Sequence, residues 1–311
     1  MMKKDTLYLH VGWSKTGTSA VQSQIQAQHE DFLAKGILYP QSLQWPDHSH
    51  HPFALSFKGS GAYQSDMSPA DALEKLRVEM QASPAPSVLL SSELSPMYFN
   101  NPRFKEFVAE YFETVKVIFT VRPQSELLLS LFNQLVKDPN IRYEASLFTL
   151  AMRNVSWLNY LNHVRQWERH VGGENLSVIP YSRKVVQDFL ASFGIAYRAG
   201  ANQADETAII NPSLPTRCLP LVQRFGRGQM GNAEFARRRD KIISLSKALD
   251  AEQDKHVLFT VAEQQAFDAH FKQGNQKLIE WFGLPAESLN KSGYQPIKVL
   301  PVDQLSMEDL G

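Results

Sequence analysis

The chain has 311 residues, 43% hydrophobic and 21% charged, with 32 basic and 32 acidic side chains, so a globular protein is expected, and zero net charge gives no global pull towards nucleic acid or an anionic membrane. The single cysteine, Cys218, excludes an intrachain disulfide and a multi-cysteine metal site and suits a reducing compartment. No stretch approaches the ~20 apolar residues of a membrane span and no apolar leader opens the chain, so a cytoplasmic protein without a membrane segment is expected.

In chain order, Lys3 to Val11 reads as a short buried parallel strand. It runs into Gly12-Trp13-Ser14-Lys15-Thr16-Gly17-Thr18-Ser19. From Thr18 onward Val21, Ile25, Phe32 and Leu33 share a helical face that ends at Gly36. Strand, Gly/Ser/Thr/Lys turn and helix form the unit that cradles phosphate. Backbone N–H groups converge, the helix start adds partial positive charge, and a lysine neutralises the anion. Gly12 and Gly17 have the spacing of G-x-x-x-x-G-K-[ST], but Thr18 fills the lysine slot and Lys15 stands three positions earlier. A nucleoside-triphosphatase lysine reaches the β/γ-phosphates and the next hydroxyl holds Mg²⁺. The displaced lysine implies a different bound group.

Ile37 to Pro40 is a short extended piece, and Gln41 to Pro69 reads as a loop containing His48, His50 and His51. These histidines read as metal ligands, as a general base beside an acceptor, or as ordinary loop residues. Pro69 to Met80 is a helix with Ala72, Leu73, Leu76 and Met80 at helical spacing. Ser87 to Leu94 reads as a strand closing on Ser91-Ser92-Glu93. Ligands of open α/β sheets bind beyond the carboxyl ends of the strands, which places Glu93 as a site residue; the alternative is a helix-cap or salt-bridge acid.

Pro102 to Phe112 reads as a helix and Val115 to Pro123 as the clearest buried strand, closing on Arg122 with Ser130 eight residues later. Leu131 to Leu150 is helical until Lys137-Asp138-Pro139-Asn140 breaks it. Ser156 to His170 carries a core stripe of Trp157, Tyr160, Leu161, Val164 and Trp167. Leu176 to Tyr181 is a strand and Val185 to Phe193 a helix. Arg224, Arg227, Arg237, Arg238 and Arg239 make a basic segment, a solvated face or a cationic lid. Val261 to Phe282 is an amphipathic helix with Phe267, Phe271, Leu278, Ile279 and Phe282 on one side. The tail beyond Pro285 is polar.

The Lys15-Thr16-Gly17-Thr18-Ser19 stretch resembles the 5′-phosphosulfate loop of sulfotransferases that use 3′-phosphoadenosine 5′-phosphosulfate (PAPS). Arg122 and Ser130 resemble that family's strand-end arginine and following-helix serine, which hold the 3′-phosphate. A guanidinium fork and a hydroxyl both donating to one phosphate is sound chemistry. Tyr181 is similar to a tyrosine near the nucleotide, although Ser182 stands where an acidic residue is expected. Asn211-Pro212-Ser213 and Gly274-Asn275-Gln276-Lys277 resemble segments of bacterial members. Ala20 replaces the tryptophan that stacks on adenine in the cytosolic animal branch, and the C-terminal Arg-Lys-Gly clamp is missing, which aligns the chain with bacterial or carbohydrate-type members.

The resemblance implies an α/β fold: three α/β/α layers around a central parallel sheet of the P-loop NTPase-like type. It implies one domain over 1–311, with a nucleotide-binding core at 1–195, a helical part and candidate lid at 196–290, and a tail at 291–311. It further implies sulfuryl transfer from PAPS, leaving adenosine 3′,5′-bisphosphate, to a hydroxyl or amine of a small-molecule or glycan acceptor, without a metal. Ser14, Lys15, Thr16, Gly17, Thr18, Ser19, Arg122, Ser130 and Tyr181 would hold the co-substrate, and Lys15 with Glu93 or His51 would carry the chemistry. A metal-dependent P-loop nucleotide or sugar kinase and a non-catalytic nucleotide-binding protein are the alternatives.

Overall fold

The computed structural model describes residues 3–57, 67–94, 101–198, 214, 218–228, 230–246 and 261–290. Five strands form one parallel sheet in the order β2-β3-β1-β4-β5. They are β1 (Lys4–His10), β2 (Ile37–Leu38), β3 (Ser87–Ser91), β4 (Phe112–Val121) and β5 (Leu176–Pro180). β1 pairs with β3 through Leu7↔Val88 and Leu9↔Leu90 and with β4 through Leu7↔Val115 and Leu9↔Val117. β3 is buried at every position, as is β4 from Val117 to Val121, the signature of a parallel sheet covered on both faces.

The chain forms two compact units. The first comprises Met1–Arg122, Leu161–Ala208 and Trp281–Leu284 and contains the whole sheet. Its helices α1 (Thr18–Ala27), α2 (His29–Ala34) and α9 (Val185–Ala191) cover one face. Val21, Ile25, Phe32, Val185 and Phe189 pack there on Leu89, Ile118 and Ile179. Burying side chains of this kind contributes about 1.5–3 kcal/mol each. Helices α3 (His51–Ser56), α4 (Pro69–Ala82), α5 (Pro102–Tyr111) and most of α8 (Tyr160–Val171) complete the unit. Phe53 and Phe57 meet Phe104 edge to face, which joins α3 to α5.

The second unit comprises Pro123–Tyr160, Ile209–Glu280 and Pro285–Gly311. It is helical among the described residues: α6 (Gln124–Lys137), α7 (Leu147–Asn154), α10 (Leu219–Gly226), α11 (Asn232–Ser246) and most of α12 (Val261–Phe282). Leu127, Phe132, Leu150, Val222, Phe235, Phe267, Phe271 and Leu278 are buried. Asn275 and Gln124 exchange amide hydrogen bonds of 2.8 and 3.0 Å.

Four expectations from sequence need correction. The helix after the loop breaks at Gln28, whose backbone leaves helical geometry while its amide donates to Asp31 and to the Ala196 carbonyl. Leu33, expected on the buried face, is 36% exposed, whereas its neighbour Phe32 is fully buried. The strand at Ser87 stops at Ser91 instead of Leu94, and the loop from Gln41 contains α3, which starts at His51 with Pro52 in its first turn. The Asn211-Pro212-Ser213 match and the tail 291–311 lie outside the described residues.

Candidate functional site

The strand order reverses at β1 and β4, so the segments leaving these two strands diverge and leave a crevice at their carboxyl ends, where open α/β sheets place ligands. The loop after β1 begins as an extension of the ladder: Val11 N–H donates to Ile118 O and Trp13 N–H to Thr120 O. It then turns sharply. Lys15 takes a left-handed conformation (φ 70°), and Gly17 does so again (φ 85°). A side chain at Gly17 would press on Val185 Cγ1 and the Tyr181 ring, so glycine serves both conformation and space there. Helix α1 then starts at Thr18 with no side-chain cap and no acid in its first turn, which leaves its N–H groups and positive dipole end available to an anion.

Cations gather at this point. The Arg122 guanidinium, at the end of β4, donates to the Lys15 carbonyl at 3.4 Å and lies 4.6 Å from the centre of the Tyr181 ring. Burial pushes the Lys15 pKa down and the Arg122 charge pushes it the same way, while the Glu93 carboxylate draws it back. Two cations held at one helix start, with a carboxylate within Coulombic reach, are an arrangement that an anion stabilises.

Two histidines of the loop after β2, His50 and His51, meet the end of β3. His50 N–H donates to Ser91 O (2.8 Å), Ser91 N–H donates to His50 Nδ1 (3.0 Å), and His50 Nε2–H donates to Pro40 O (2.9 Å). His50 thus occupies the place of a neighbouring strand, with both ring nitrogens committed to backbone, and burial pushes its pKa down to about 4. His48 lies apart with a left-handed backbone, its carbonyl accepting from the Tyr39 hydroxyl. Only His51 meets Glu93: Nε2 is 3.6 Å from Glu93 Oε1, and Nδ1 is bonded to Ser92 Oγ at 2.8 Å. Burial pushes the Glu93 pKa up. The hydrogen bond and charge of His51, with smaller contributions from its own backbone and His10, outweigh this and hold it below the ordinary carboxylate value. Glu93 Oε2 is buried and has no partner among the described residues, an open acceptor beside the loop. No group of three or more metal-binding side chains is arranged to hold an ion among the described residues.

The first unit therefore brings together Lys15, Thr16, Gly17, Thr18, Arg122, Tyr181, Glu93 and His51. Of the loop residues, Ser14 is half-buried and Ser19 exposed, whereas Thr16 and Thr18 are buried. Ser130 lies half-buried on α6 of the second unit. The basic segment is largely a solvated face: Arg237 and Arg238 pair with Glu234 one helical turn back, and Arg239 pairs with Asp240. Sequence reading passed over His10, Gln22, Ser91 and Thr120, all buried beneath the loop. It also passed over Trp45, 39% exposed with its ring edge-on to His51 at 5.2 Å. A polar residue at the end of β1 and β3 (His10, Ser91) and one position before the end of β4 (Thr120) was the available signal.

No protein-family model matches the chain, nor does any curated protein. Among solved structures it is similar to a sulfotransferase from Alicyclobacillus acidocaldarius at 16% identity and a TM-score of 0.43, over 82% of this chain and 100% of that one. It is similar to mouse sulfotransferase SULT7A1 complexed with PAP at 15% identity and 0.40, over 91% and 89%. The sulfotransferase domain of the Synechococcus PCC 7002 olefin synthase follows at 12% and 0.35, over 76% and 95%. All three neighbours are sulfotransferases.

Proposed function

We propose that this chain transfers the sulfuryl group of PAPS to a hydroxyl or amine of an acceptor. The observation that carries the reading is the pairing of Lys15 with Arg122 at the uncapped start of α1, facing the buried carboxylate of Glu93. A doubly anionic phosphosulfate suits the cations, and the bare Glu93 Oε2 suits an acceptor proton.

In the reaction the acceptor oxygen or nitrogen forms a bond to sulfur as the bond from sulfur to the bridging oxygen breaks. The electron pair leaves on that oxygen, giving adenosine 3′,5′-bisphosphate. Lys15 and the amides of Gly17, Thr18 and Ser19 meet the charge that develops there, stabilisation of the oxyanion-hole kind. Arg122 and Ser130 hold the 3′-phosphate, and Tyr181 lies against the nucleotide. Ser14 and Thr16 complete the loop. Glu93 takes the acceptor proton, with His51 orienting it and able to share that proton. Alignment and charge compensation do most of the work, as in phosphoryl transfer, and no metal is invoked. The exposed Trp45 beside His51 offers an aromatic surface to a sugar, which favours a carbohydrate or glycan-precursor acceptor. The single cysteine favours a cytoplasmic setting.

Titration calorimetry with adenosine 3′,5′-bisphosphate, AMP and ATP–Mg²⁺ tests the reading. The bisphosphate should bind roughly a hundredfold more tightly than AMP, and Arg122→Ala should remove that margin. Equal affinity for the bisphosphate and ATP–Mg²⁺ would favour a kinase. Tight bisphosphate binding without turnover of PAPS on any hydroxyl or amine acceptor would leave a nucleotide-binding protein.

A further inference from the structure

Beneath the loop five side chains are hydrogen-bonded in a line whose direction is fixed at its Thr16 end. Thr16 Oγ1 lies 2.5 Å from the Trp13 carbonyl, which only accepts, so the Thr16 hydroxyl proton is spent there. Its oxygen, 2.7 Å from Thr120 Oγ1, must then accept from Thr120. Thr120 Oγ1 in turn accepts from His10 Nε2, 3.4 Å away, which makes the ring the Nε2–H tautomer. Nδ1 is therefore bare and accepts from Ser91 Oγ at 2.8 Å. At the far end the amide of Gln22 donates to Ser91 Oγ at 3.1 Å. Ser91 also lies within reach of the Tyr39 hydroxyl; the order is set from the Thr16 end, and the line ties α1, β3, β1 and β4 to the left-handed turn.

We propose that His10 is a positioning residue: a neutral ring, oriented by Ser91 and Gln22, it donates from Nε2 to Thr120, which donates in turn to Thr16, and so sets the loop that carries Lys15. Two further observations support it. The ring is fully buried against Phe189, and burial pushes its pKa down to about 4 despite the opposing charge of Glu93, so it stays neutral around pH 7. A methyl group at Gly12 would lie 2.0 Å from Thr120 Oγ1 and 3.1 Å from His10 Nε2. Gly12 therefore leaves room for this line as well as shaping the turn.

The tautomer is read directly on the full-length wild-type chain by long-range proton–nitrogen correlation of labelled histidines. The His10 signal, assigned by its loss in His10→Gln, should show Nε2 protonated and Nδ1 bare, unchanged from pH ~6 to ~8. An Nδ1–H ring, or one that titrates in that range, overturns the proposal without any variant having to fold. His10→Gln keeps an amide donor within reach of Thr120, whereas His10→Asn keeps an acceptor for Ser91 and loses that donor. Bisphosphate affinity and kcat/KM for PAPS should fall about tenfold in His10→Asn and Thr120→Val, with no further fall in the double variant, and should be largely kept in His10→Gln. Additive losses, or equal losses in the Gln and Asn variants, mean a general packing role and sink it. The activity readout rests on the sulfotransferase reading. Amide relaxation of Lys15 to Thr18, which should show motion in His10→Asn and not in His10→Gln, does not. A chain that fails to bind bisphosphate yet shows this contrast would lose that reading and keep the positioning role.

Discussion

At the ends of β1, β3 and β4 a buried layer and an open layer are built from neighbouring residues. In the buried layer His10, His50, Ser91, Thr120 and Thr16 are neutral, and each ring nitrogen and hydroxyl has a partner. In the open layer Lys15, Arg122, His51 and Glu93 are charged or chargeable, and Glu93 keeps an oxygen without a partner among the described residues. His50 and His51 are adjacent in sequence yet fall one into each layer. The contrast follows from what burial costs. A neutral polar group can be satisfied by one or two hydrogen bonds, whereas a buried charge needs an opposite charge beside it, which His51 offers Glu93 and an anionic ligand would offer Lys15 and Arg122. The saturated layer fixes geometry, and the unsaturated layer has bonds left to make.

The largest expected effect lies in the open layer. Glu93→Gln removes the proton acceptor while keeping shape, and turnover of PAPS should fall by about 10²–10⁴-fold with bisphosphate affinity unchanged. Retained turnover would make Glu93 a structural acid and move the chemistry to His51. Next, Lys15→Ala should cost on the order of 10²–10³ in kcat while the thermal transition stays where it is. An unfolded variant would place Lys15 in the layer that holds the fold together.

The buried layer is reached through acid stability. His10 and His50 have pKa values of about 4 in the folded state and near the ordinary value of 6.5 when unfolded. Between those values the unfolded chain binds more protons, so stability is full above pH ~6.5 and is lost as pH falls towards ~4, by about 3 kcal/mol for each histidine. Urea midpoints that stay constant from pH ~7 to ~4.5 would show that these rings are not held neutral.

Much of this was legible in the sequence. The runs at Lys3, Ser87, Val115 and Leu176 all became strands, and the glycine-bearing turn with Lys15 became the loop between β1 and α1. Such signals are local: apolar runs, a left-handed position at Gly17, prolines near the starts of α4 and α5. Less legible was what the neighbouring histidines do: His51 was named beside Glu93, but nothing within the stretch from His48 to His51 marks His50 as a stand-in for a strand. Nor did the sequence show that Gly12 makes room for Thr120, since the G-x-x-x-x-G spacing supplied a different reason for a glycine there.

By itself the sequence determined an α/β chain with a phosphate-type loop after its first strand and an arginine closing a later one, because strand, turn and helix preferences are read within a few residues. Only the tertiary structure decided the partners. His10 meets Ser91 across 81 positions and Thr120 across 110, and Arg122 reaches Lys15 across 107. Those pairings are set by the strand order β2-β3-β1-β4-β5, which packing of both sheet faces selects and no local pattern encodes.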